Sequence, residues 1–164
     1  MNSTADHPSV RRVKEFLASH DIDVEIRHLS DTARSAADAA AALGVQVGQI
    51  ASSIVFSIPE PLLVITSGRH RVDTELVAKT AQLPKLGRAD ADFVKNWSGF
   101  VIGGVSPIAW QHNDTDYQPK TFIDVALDEH EEIWAAAGHS HVVFRTNFKD
   151  LARISQATEI FVGE

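Results

Sequence analysis

Residues 50–67 read IASSIVFSIPEPLLVITS, and this stretch decides the fold that the sequence predicts. Its two halves, Ile50–Ile58 and Leu62–Ser67, are rich in β-branched residues, which favour extended strands. Pro59 and Pro61 lie between them, and proline marks a chain reversal because it cannot donate a hydrogen bond to a strand ladder. The stretch therefore predicts a β-hairpin.

Helices and further strands are predicted on both sides of this hairpin. A helix starting near Ser9 precedes a strand at residues 24–28, and Ser35 caps an alanine-rich helix that ends at Gly44. Downstream helices are predicted from Asp73, from about Asp90 and from Asn147, and strands at residues 100–102, 121–125, 133–137, 142–146 and 160–162. Because the strands come in hairpins and interrupted pairs, the sequence predicts a single α+β domain, residues 1–164, with a curved mixed sheet surrounded by helices.

Length and composition exclude several classes of protein. The 164 residues suffice for one domain, and 44% hydrophobic with 23% charged residues is typical of a folded globular protein. No apolar run approaches the roughly 18 residues of a membrane-spanning helix, and nothing at Met1–Pro8 resembles a secretory signal. The lack of cysteine excludes disulfides, thiolate metal sites and a thiol nucleophile. We therefore expect a soluble, cytoplasmic protein.

The net charge of −7, from 15 basic and 22 acidic residues, excludes non-specific wrapping of duplex nucleic acid. The charge is uneven, because residues 69–95 carry six basic and four acidic side chains, whereas residues 114–132 are strongly acidic. Two interpretations of the basic segment stay open. It is either a local patch that meets a polyanion or a solvated surface of mixed charge.

Residues 99–107, GFVIGGVSP, are the strongest motif for a binding or catalytic loop. Gly103 and Gly104 lack the Cβ that would keep a ligand from the backbone, and successive amides of such a bend point at one spot. Pro107 restricts its neighbour and stiffens the loop. A loop of this kind stabilises an oxyanion without a charged side chain, although paired glycines also occur in ordinary tight turns.

Other signatures of catalysis are missing from the sequence. It contains no Gly-x-Ser-x-Gly elbow and no phosphate-binding glycine loop, which excludes serine hydrolases of that type and P-loop ATPases. The eight histidines, including His139 and His141, lack the spacing of a metal site, so we expect no metal. Trp97, Trp110 and Trp134 are interpreted as anchors of the core or its rim rather than as base-stacking platforms.

Several segments carry a resemblance when they are taken in order. They are the alanine-rich helix before Gly44 and the stretches QIASSIVF at 49–56, RAD at 88–90, SGFVIGGVSP at 98–107, FID at 122–124 and IWAAAG at 133–138. Together they resemble the YbaK/EbsC-like aminoacyl-tRNA editing domains, which are related to the domain inserted in bacterial prolyl-tRNA synthetases. The resemblance covers nearly the whole chain and implies a sheet curved into a partly closed barrel. It also implies hydrolysis, in trans, of the ester that joins a wrong amino acid to the end of a tRNA.

The resemblance assigns roles to the residues of the glycine loop. It implies that backbone groups of Gly103 and Gly104 hold the aminoacyl carbonyl, with Ser106 and Pro107 beside the substrate. The terminal hydroxyl of the tRNA would help to activate water, so that no side-chain nucleophile, metal or organic cofactor is required. The partner would be the acceptor end of an aminoacylated tRNA, either alone or beside an aminoacyl-tRNA synthetase, and neither DNA nor a membrane is implied.

One departure from the family lies in the first strand of the hairpin. Many members carry a lysine where this chain has Ser52, so Ser52 and its neighbour Ser53 are expected to hydrogen-bond the substrate without supplying charge. The alternative is that both are small residues tolerated in a strand. The loss of the lysine also leaves a second function open, a binding or regulatory module for an aminoacyl-adenosine-like ligand or a partner protein.

The remaining candidates belong to the pocket wall and to the RNA contact. His28, Gly138 and His139 are expected at the wall, with a plain strand histidine as the alternative for His28, and Asp124 is expected to anchor its strand. Arg69, Arg71 and Arg88 are the candidates for the phosphates of the acceptor end. Recognition of that end alone needs few phosphate contacts, which reconciles the acidic chain with an RNA substrate.

Overall fold

The computed structural model describes residues 7–30, 33 and 35–164. Its strands are β1 (Ile26–His28), β2 (Ile50–Ser57), β3 (Pro61–Ser67), β4 (Gly87–Arg88), β5 (Gln111–His112), β6 (Thr115–Asp116), β7 (Lys120–Asp124), β8 (Ile133–Ala136), β9 (Val142–Thr146) and β10 (Thr158–Ile160). Its α-helices are α1 (Pro8–Ser19), α2 (Ala36–Leu43), α3 (Thr74–Ala81), α4 (Ala91–Ser98) and α5 (Phe148–Ile154). Two short 3-10 helices, Val47–Gln49 and Val125–Glu129, precede β2 and follow β7.

The described strands form one large mixed sheet and one small ribbon. The sheet runs in the order β1-β9-β8-β2-β3-β7-β10, with β4 added beside β2, and β5 pairs with β6 in the ribbon. The pairs β2–β8, β3–β7 and β7–β10 are parallel, and the other pairs of the sheet are antiparallel. This arrangement confirms the predicted α+β fold with a mixed sheet.

The predicted hairpin is present as β2 and β3, and it lies in the interior of this sheet. Its register runs from Ala51 opposite Ser67 to Ser57 opposite Pro61. Every residue of β3 is buried, because helices or other strands cover both of its faces. The opposite edge of β2 is different. It pairs with β8 at Ile50 and Ala51 and with β4 at Phe56 and Ser57, so no described strand pairs with residues 52–55 on that edge.

The helices begin where the sequence predicts. The side chains of Ser35, Asp73, Asp90 and Asn147 each accept the backbone N–H three residues ahead, which satisfies a donor that the first helical turn leaves free. The N-cap of α1 is His7, whose Nδ1 accepts the N–H of Ser9. The largest core cluster joins α1, α4 and α5 to one face of the sheet, and this packing fixes the loop between α4 and β5.

One predicted strand is wrong and one ribbon was not predicted. Residues 100–102 form no strand, because the chain turns there: Val101 is 66% exposed, and its carbonyl accepts the N–H of Gly104 at 2.9 Å. Phe100 is buried beneath the guanidinium of Arg12, whose Cζ lies 4.4 Å from the ring centroid. The unpredicted ribbon, β5–β6, turns at Asn113 and Asp114, both with positive φ.

The lengths and hydropathy of the described helices differ from what a membrane-spanning helix requires. None of them, within residues 7–30, 33 and 35–164, is long and apolar enough to cross a bilayer.

Candidate active site

A cavity of about 470 Å³ opens along the part of β2 that lacks a strand partner. Its walls come from the middle of β2, the loop after α4, one side of α2 and the turn between β8 and β9. Among the described residues that line it, none is a lysine, arginine, aspartate or glutamate, and the titratable ones are His139 and His141. The volume lies in the range of small-molecule sites, and the walls carry little charge.

The loop after α4 contributes Ile102, Gly103 and Val105 to this cavity. Gly103 has a φ of +98° at the third position of the turn closed by Gly104, and a positive φ there favours glycine. The N–H groups of Gly103 and Val105 donate to no acceptor in the described part of the chain. The same holds for the N–H of Ile102, so three main-chain donors of the described loop remain unused at the cavity wall.

Gly104 and Gly138 hold this loop against the turn between β8 and β9. A Cβ on Gly104 would lie 2.7 Å from the Cα of His139, and a Cβ on Gly138 would lie 2.6 Å from the carbonyl oxygen of Ser9. Only glycine permits the backbones to approach so closely. Both glycines line a smaller cavity of about 200 Å³, which shares Ile102 and His139 with the larger one.

Ser52 and Ser53 both line the large cavity, and Ser53 has an unusual environment. Its Oγ is buried and has no hydrogen-bond partner among the described residues, and the same is true of Nε1 of Trp134, another residue of the cavity wall. Buried polar atoms are nearly always paired in folded proteins. These two atoms are therefore candidates for hydrogen bonds to a ligand.

His139 and His141 line the cavity from the turn between β8 and β9. The Nδ1 of His139 lies 3.0 Å from the carbonyl oxygen of Ser140. Because a carbonyl oxygen only accepts, Nδ1 carries the hydrogen, and Nε2 is an acceptor in the neutral ring and a donor after protonation. The sequence singled out His141 only as a potential metal ligand. The IWAAAG stretch that precedes this turn was the available signal for a wall residue.

Three other predicted site residues do not line the large cavity. Ser106 is fully buried, its Oγ accepts the N–H of Ile108 at 3.4 Å, and its carbonyl accepts Nε1–H of Trp110 at 2.7 Å. Pro107 is buried beside it. His28 is exposed on β1. The structure thus brings together Gly103, Ser52, Ser53 and His139, with Gly104 and Gly138 directly behind them.

The three arginines proposed for phosphates lie apart from one another. Arg88 is on β4, paired with Phe56 near the far end of β2, and its neighbour Ala89 lines the cavity. Arg69 and Arg71 follow β3, whose last residue pairs with Ala51. Ala51 and Phe56, the residues of β2 that mark these two positions, are about 16 Å apart at the ordinary rise of a strand. Arg69 also forms a 2.8 Å ion pair with Glu129.

Asp124 anchors its strand, as predicted. Its carboxylate is fully buried and accepts the N–H groups of Ser67 at 3.0 Å and Ala126 at 2.9 Å, together with the hydroxyl of Thr66 at 3.3 Å. Nδ1 of His70 lies 2.9 Å from the same carboxylate. These contacts tie the ends of β3 and β7 together at a distance from the cavity wall, to which Asp124 does not contribute.

The positions of the tryptophans agree with their interpretation as anchors of the core or its rim. Trp110 and Trp134 are buried, and the ring of the half-buried Trp97 stacks on His112 at a centroid distance of 4.0 Å. No group of three histidine, aspartate or glutamate side chains in residues 7–30, 33 and 35–164 is arranged to hold a metal ion.

Comparison with known families defines the class of this protein. The family model of the aminoacyl-tRNA editing domain matches residues 30–154, which is more than half of the chain. This chain therefore belongs to the aminoacyl-tRNA editing domain family, and the resemblance found in the sequence is confirmed. Among curated proteins, none matches the chain.

Solved structures agree with this assignment. The chain is 32% identical to a candidate trans-editing enzyme for prolyl-tRNA synthetase, with a TM-score of 0.85 over 96% of this chain and 98% of that one. A structure from work on epitope backbone grafting onto scaffold proteins is 30% identical, with a TM-score of 0.87 over 96% and 99% of the two chains. A hypothetical protein of 22% identity and TM-score 0.79, covering 93% and 99%, shares the fold.

Proposed function

We propose that this protein hydrolyses the ester between a wrongly attached small amino acid and the 3′-terminal adenosine of a tRNA, acting in trans. The observation that carries the proposal is the set of unused N–H donors, on Ile102, Gly103 and Val105, at the wall of an uncharged cavity. An acyl carbonyl that accepts from these donors is polarised, and the negative charge on its oxygen is stabilised in the transition state. Gly104 supports the turn through its own N–H.

The attacking water has no carboxylate to activate it, because the described lining of the cavity contains none. In this proposal the free hydroxyl of the terminal ribose positions and activates the water, as in the family that the chain resembles. The hydroxyls of Ser52 and Ser53 bind the aminoacyl group or the ribose. His139, at the edge of the same cavity, completes the wall.

Selection of a small amino acid follows from the lining. Alanines line several sides of the cavity: Ala36 and Ala39 on α2, Ala51 on β2, Ala136 on β8 and Ala89 after β4. An extra methylene changes binding by only about 1–3 kcal/mol when a pocket is adaptable, so exclusion of larger substrates requires a rigid wall. The wall is anchored by the buried Ile50 and Ala51 of β2 and by the buried Ala40 and Leu43 of α2, and in this proposal cognate amino acids with larger side chains are spared.

The acceptor end of the tRNA enters from the side of the glycine loop and β4. Arg88, next to the cavity-lining Ala89, is the arginine of the three that we assign to this contact. A synthetase that produces the mischarged tRNA is the natural partner, since the ester must reach the cavity before the amino acid is used.

The test is a panel of tRNAs charged with alanine, serine, threonine, cysteine and a bulky residue such as phenylalanine. The release of amino acid is followed with and without the protein, so that spontaneous hydrolysis is subtracted. We expect rapid release of one or a few small amino acids and none of phenylalanine. Release of no amino acid, or equal release of all, would contradict the proposal.

A second candidate function is favoured by one observation, the replacement of the family's lysine by Ser52, which leaves the described cavity lining without a permanent cation. In that case the protein binds an aminoacyl-adenosine-like ligand without turnover. The same panel separates the two functions, because a binder protects the ester from spontaneous hydrolysis. A Ser52→Lys variant sharpens the result: an inactive parent that gains deacylation with this single change is a binding module.

A further inference from the structure

The smaller cavity, of about 200 Å³, gathers three basic side chains beside the glycine loop. His7 comes from the N-cap of α1, Lys95 from the last turn of α4 and His139 from the turn after β8. The rings of His7 and His139 lie 4.6 Å apart between centroids. No acidic side chain lines this cavity among the described residues. Lys95 gives this described concave surface a permanent positive charge, and the two histidines add to it when they are protonated, on a chain of net charge −7.

The hydrogen atoms of these groups are directed by their other contacts. Nδ1 of His7 accepts the N–H of Ser9, so Nε2 carries the hydrogen in the neutral ring. Nδ1–H of His139 donates to Ser140, so Nε2 of His139 becomes a donor only after protonation. Lys95 donates one N–H to the carbonyl of Gly99 at 3.3 Å and retains two. The cluster therefore supplies several hydrogen-bond donors, and its described lining contains no carboxylate that would repel an anion.

The mutual repulsion of these basic groups affects the pKa of His7. Partial desolvation lowers the pKa of His7, and the charges of His139 and Lys95 lower it further. These are the charged groups that face His7 from the elements packed around it. A bound anion would reverse the two charge effects, because an opposite charge within a few ångströms favours the protonated ring.

The position of the cavity identifies the anion. It shares Ile102 and His139 with the large cavity, and Gly104 forms part of its wall directly after Gly103. A substrate whose ester lies against Gly103 has its nearest negative charge on the phosphate of the same terminal nucleotide. We propose that His7, Lys95 and His139 bind this 5′-phosphate group of the terminal adenosine. The assignment rests on the proposed function for the identity of the nucleotide, but the phosphate site itself is testable without any hydrolysis.

The first test measures binding of adenosine 5′-monophosphate, adenosine and inorganic phosphate to the full chain, by calorimetry and by the NMR signals of the histidine rings. We expect the monophosphate to bind and to shift the signals of His7 and His139, adenosine to leave them unchanged, and inorganic phosphate to bind more weakly. The Lys95→Gln variant should bind the monophosphate about tenfold more weakly, since one charge-assisted hydrogen bond is lost. Lys79→Gln, an exposed lysine on α3, is the matched control and should bind like the parent.

Three results would overturn the site. They are equal binding of adenosine and its monophosphate, equal binding of inorganic phosphate and the monophosphate, and an unchanged affinity of Lys95→Gln. None of them depends on deacylation, so failure of the phosphate site is distinct from failure of the proposed function.

The second test compares two substrates, an aminoacyl-adenosine and an aminoacylated oligonucleotide that ends in the same adenosine with its 5′-phosphate. The ratio of kcat/KM on the second to kcat/KM on the first should fall about tenfold in Lys95→Gln and stay constant in Lys79→Gln. A structural effect of Lys95 would lower both values together and leave the ratio unchanged, which would contradict the assignment.

Discussion

Two polar regions flank the β2–β3 hairpin. The hydrogen-bonding groups of one are paired within the protein, and those of the other are not. At the end of β3, the carboxylate of Asp124 accepts hydrogen bonds from Ser67, Ala126 and Thr66 and contacts His70. At the middle of β2, the Oγ of Ser53 is buried without a described partner, and the amides of Gly103 and Val105 donate to no described acceptor. Gly103 is exposed, so its amide can reach water, but the Oγ of Ser53 is buried. An unpaired buried group is costly, so the Ser53 hydroxyl points to a ligand at the second region.

Loss of the Asp124 carboxylate should have the largest effect on stability. Asp124→Ala leaves several buried donors without an acceptor, so the free energy of unfolding should fall by about 4 kcal/mol. Urea denaturation measures this. Asp128→Ala, at an exposed position in the following 3-10 helix, is the control and should change little. Equal effects of the two substitutions would refute the contrast between the two regions.

Addition of a single Cβ at Gly104 should come next. It would press against the backbone of His139 and Ser140 at 2.7–2.8 Å, so Gly104→Ala should cost about 2–3 kcal/mol of unfolding free energy. The comparison is Gly103→Ala, whose Cβ would have no heavy atom within 4 Å and whose cost of about 1–2 kcal/mol comes from its positive φ alone. A Gly104→Ala protein as stable as Gly103→Ala would show that the two turns are not tightly packed.

Removal of the Ser53 hydroxyl should separate stability from activity. Because its Oγ has no partner in the described structure, Ser53→Ala should leave the unfolding free energy unchanged or raise it by up to about 1 kcal/mol. The kcat/KM for the preferred mischarged tRNA should fall about tenfold, because a hydrogen bond to the bound substrate is lost. A stability loss like that at Asp124, with activity intact, would make Ser53 a structural residue.

The smallest expected effect is on the pH dependence of stability. Since the pKa of His7 is lowered in the folded protein, the unfolded chain binds this proton more readily, and the unfolding free energy should decrease as the pH falls below about 6.5. His7→Gln should flatten this decrease slightly, because it removes the group whose pKa is lowered on folding. Thermal unfolding across that pH interval measures the difference. An identical slope in parent and His7→Gln would contradict it.

Local chemistry explains which parts of the fold were predictable. The hairpin follows from β-branched residues around Pro59 and Pro61, and the helix starts follow from capping side chains such as Asp73 and Asn147, since each depends on a few neighbouring residues. The prediction of a strand at 100–102 was wrong because it too relied only on neighbouring residues. An apolar run favours a strand, but the chain turns locally where Gly104 donates to Val101, and Phe100 packs under Arg12 of α1, which is far away in sequence.

The candidate site was predictable only in part. The motif at 99–107 pointed to Gly103, and the hairpin pointed to Ser52 and Ser53, but no local pattern indicates that β2 lacks a strand partner between β8 and β4. The requirement for glycine at Gly138 arises from its contact with Ser9, which only the tertiary structure creates. The basic cluster of the small cavity likewise joins three segments that are distant in sequence.

The central claim, that main-chain donors of the glycine loop polarise the bound ester, is tested most directly in Gly103→Ala. The positive φ at this position makes alanine unfavourable by about 1–2 kcal/mol, so the substitution should displace the amide while the chain stays folded. In single-turnover assays with the mischarged tRNA that the parent deacylates fastest, we predict a rate about 100-fold lower, with an unfolding free energy only about 1–2 kcal/mol below that of the parent. A folded Gly103→Ala protein that releases the amino acid at the parental rate would contradict the account.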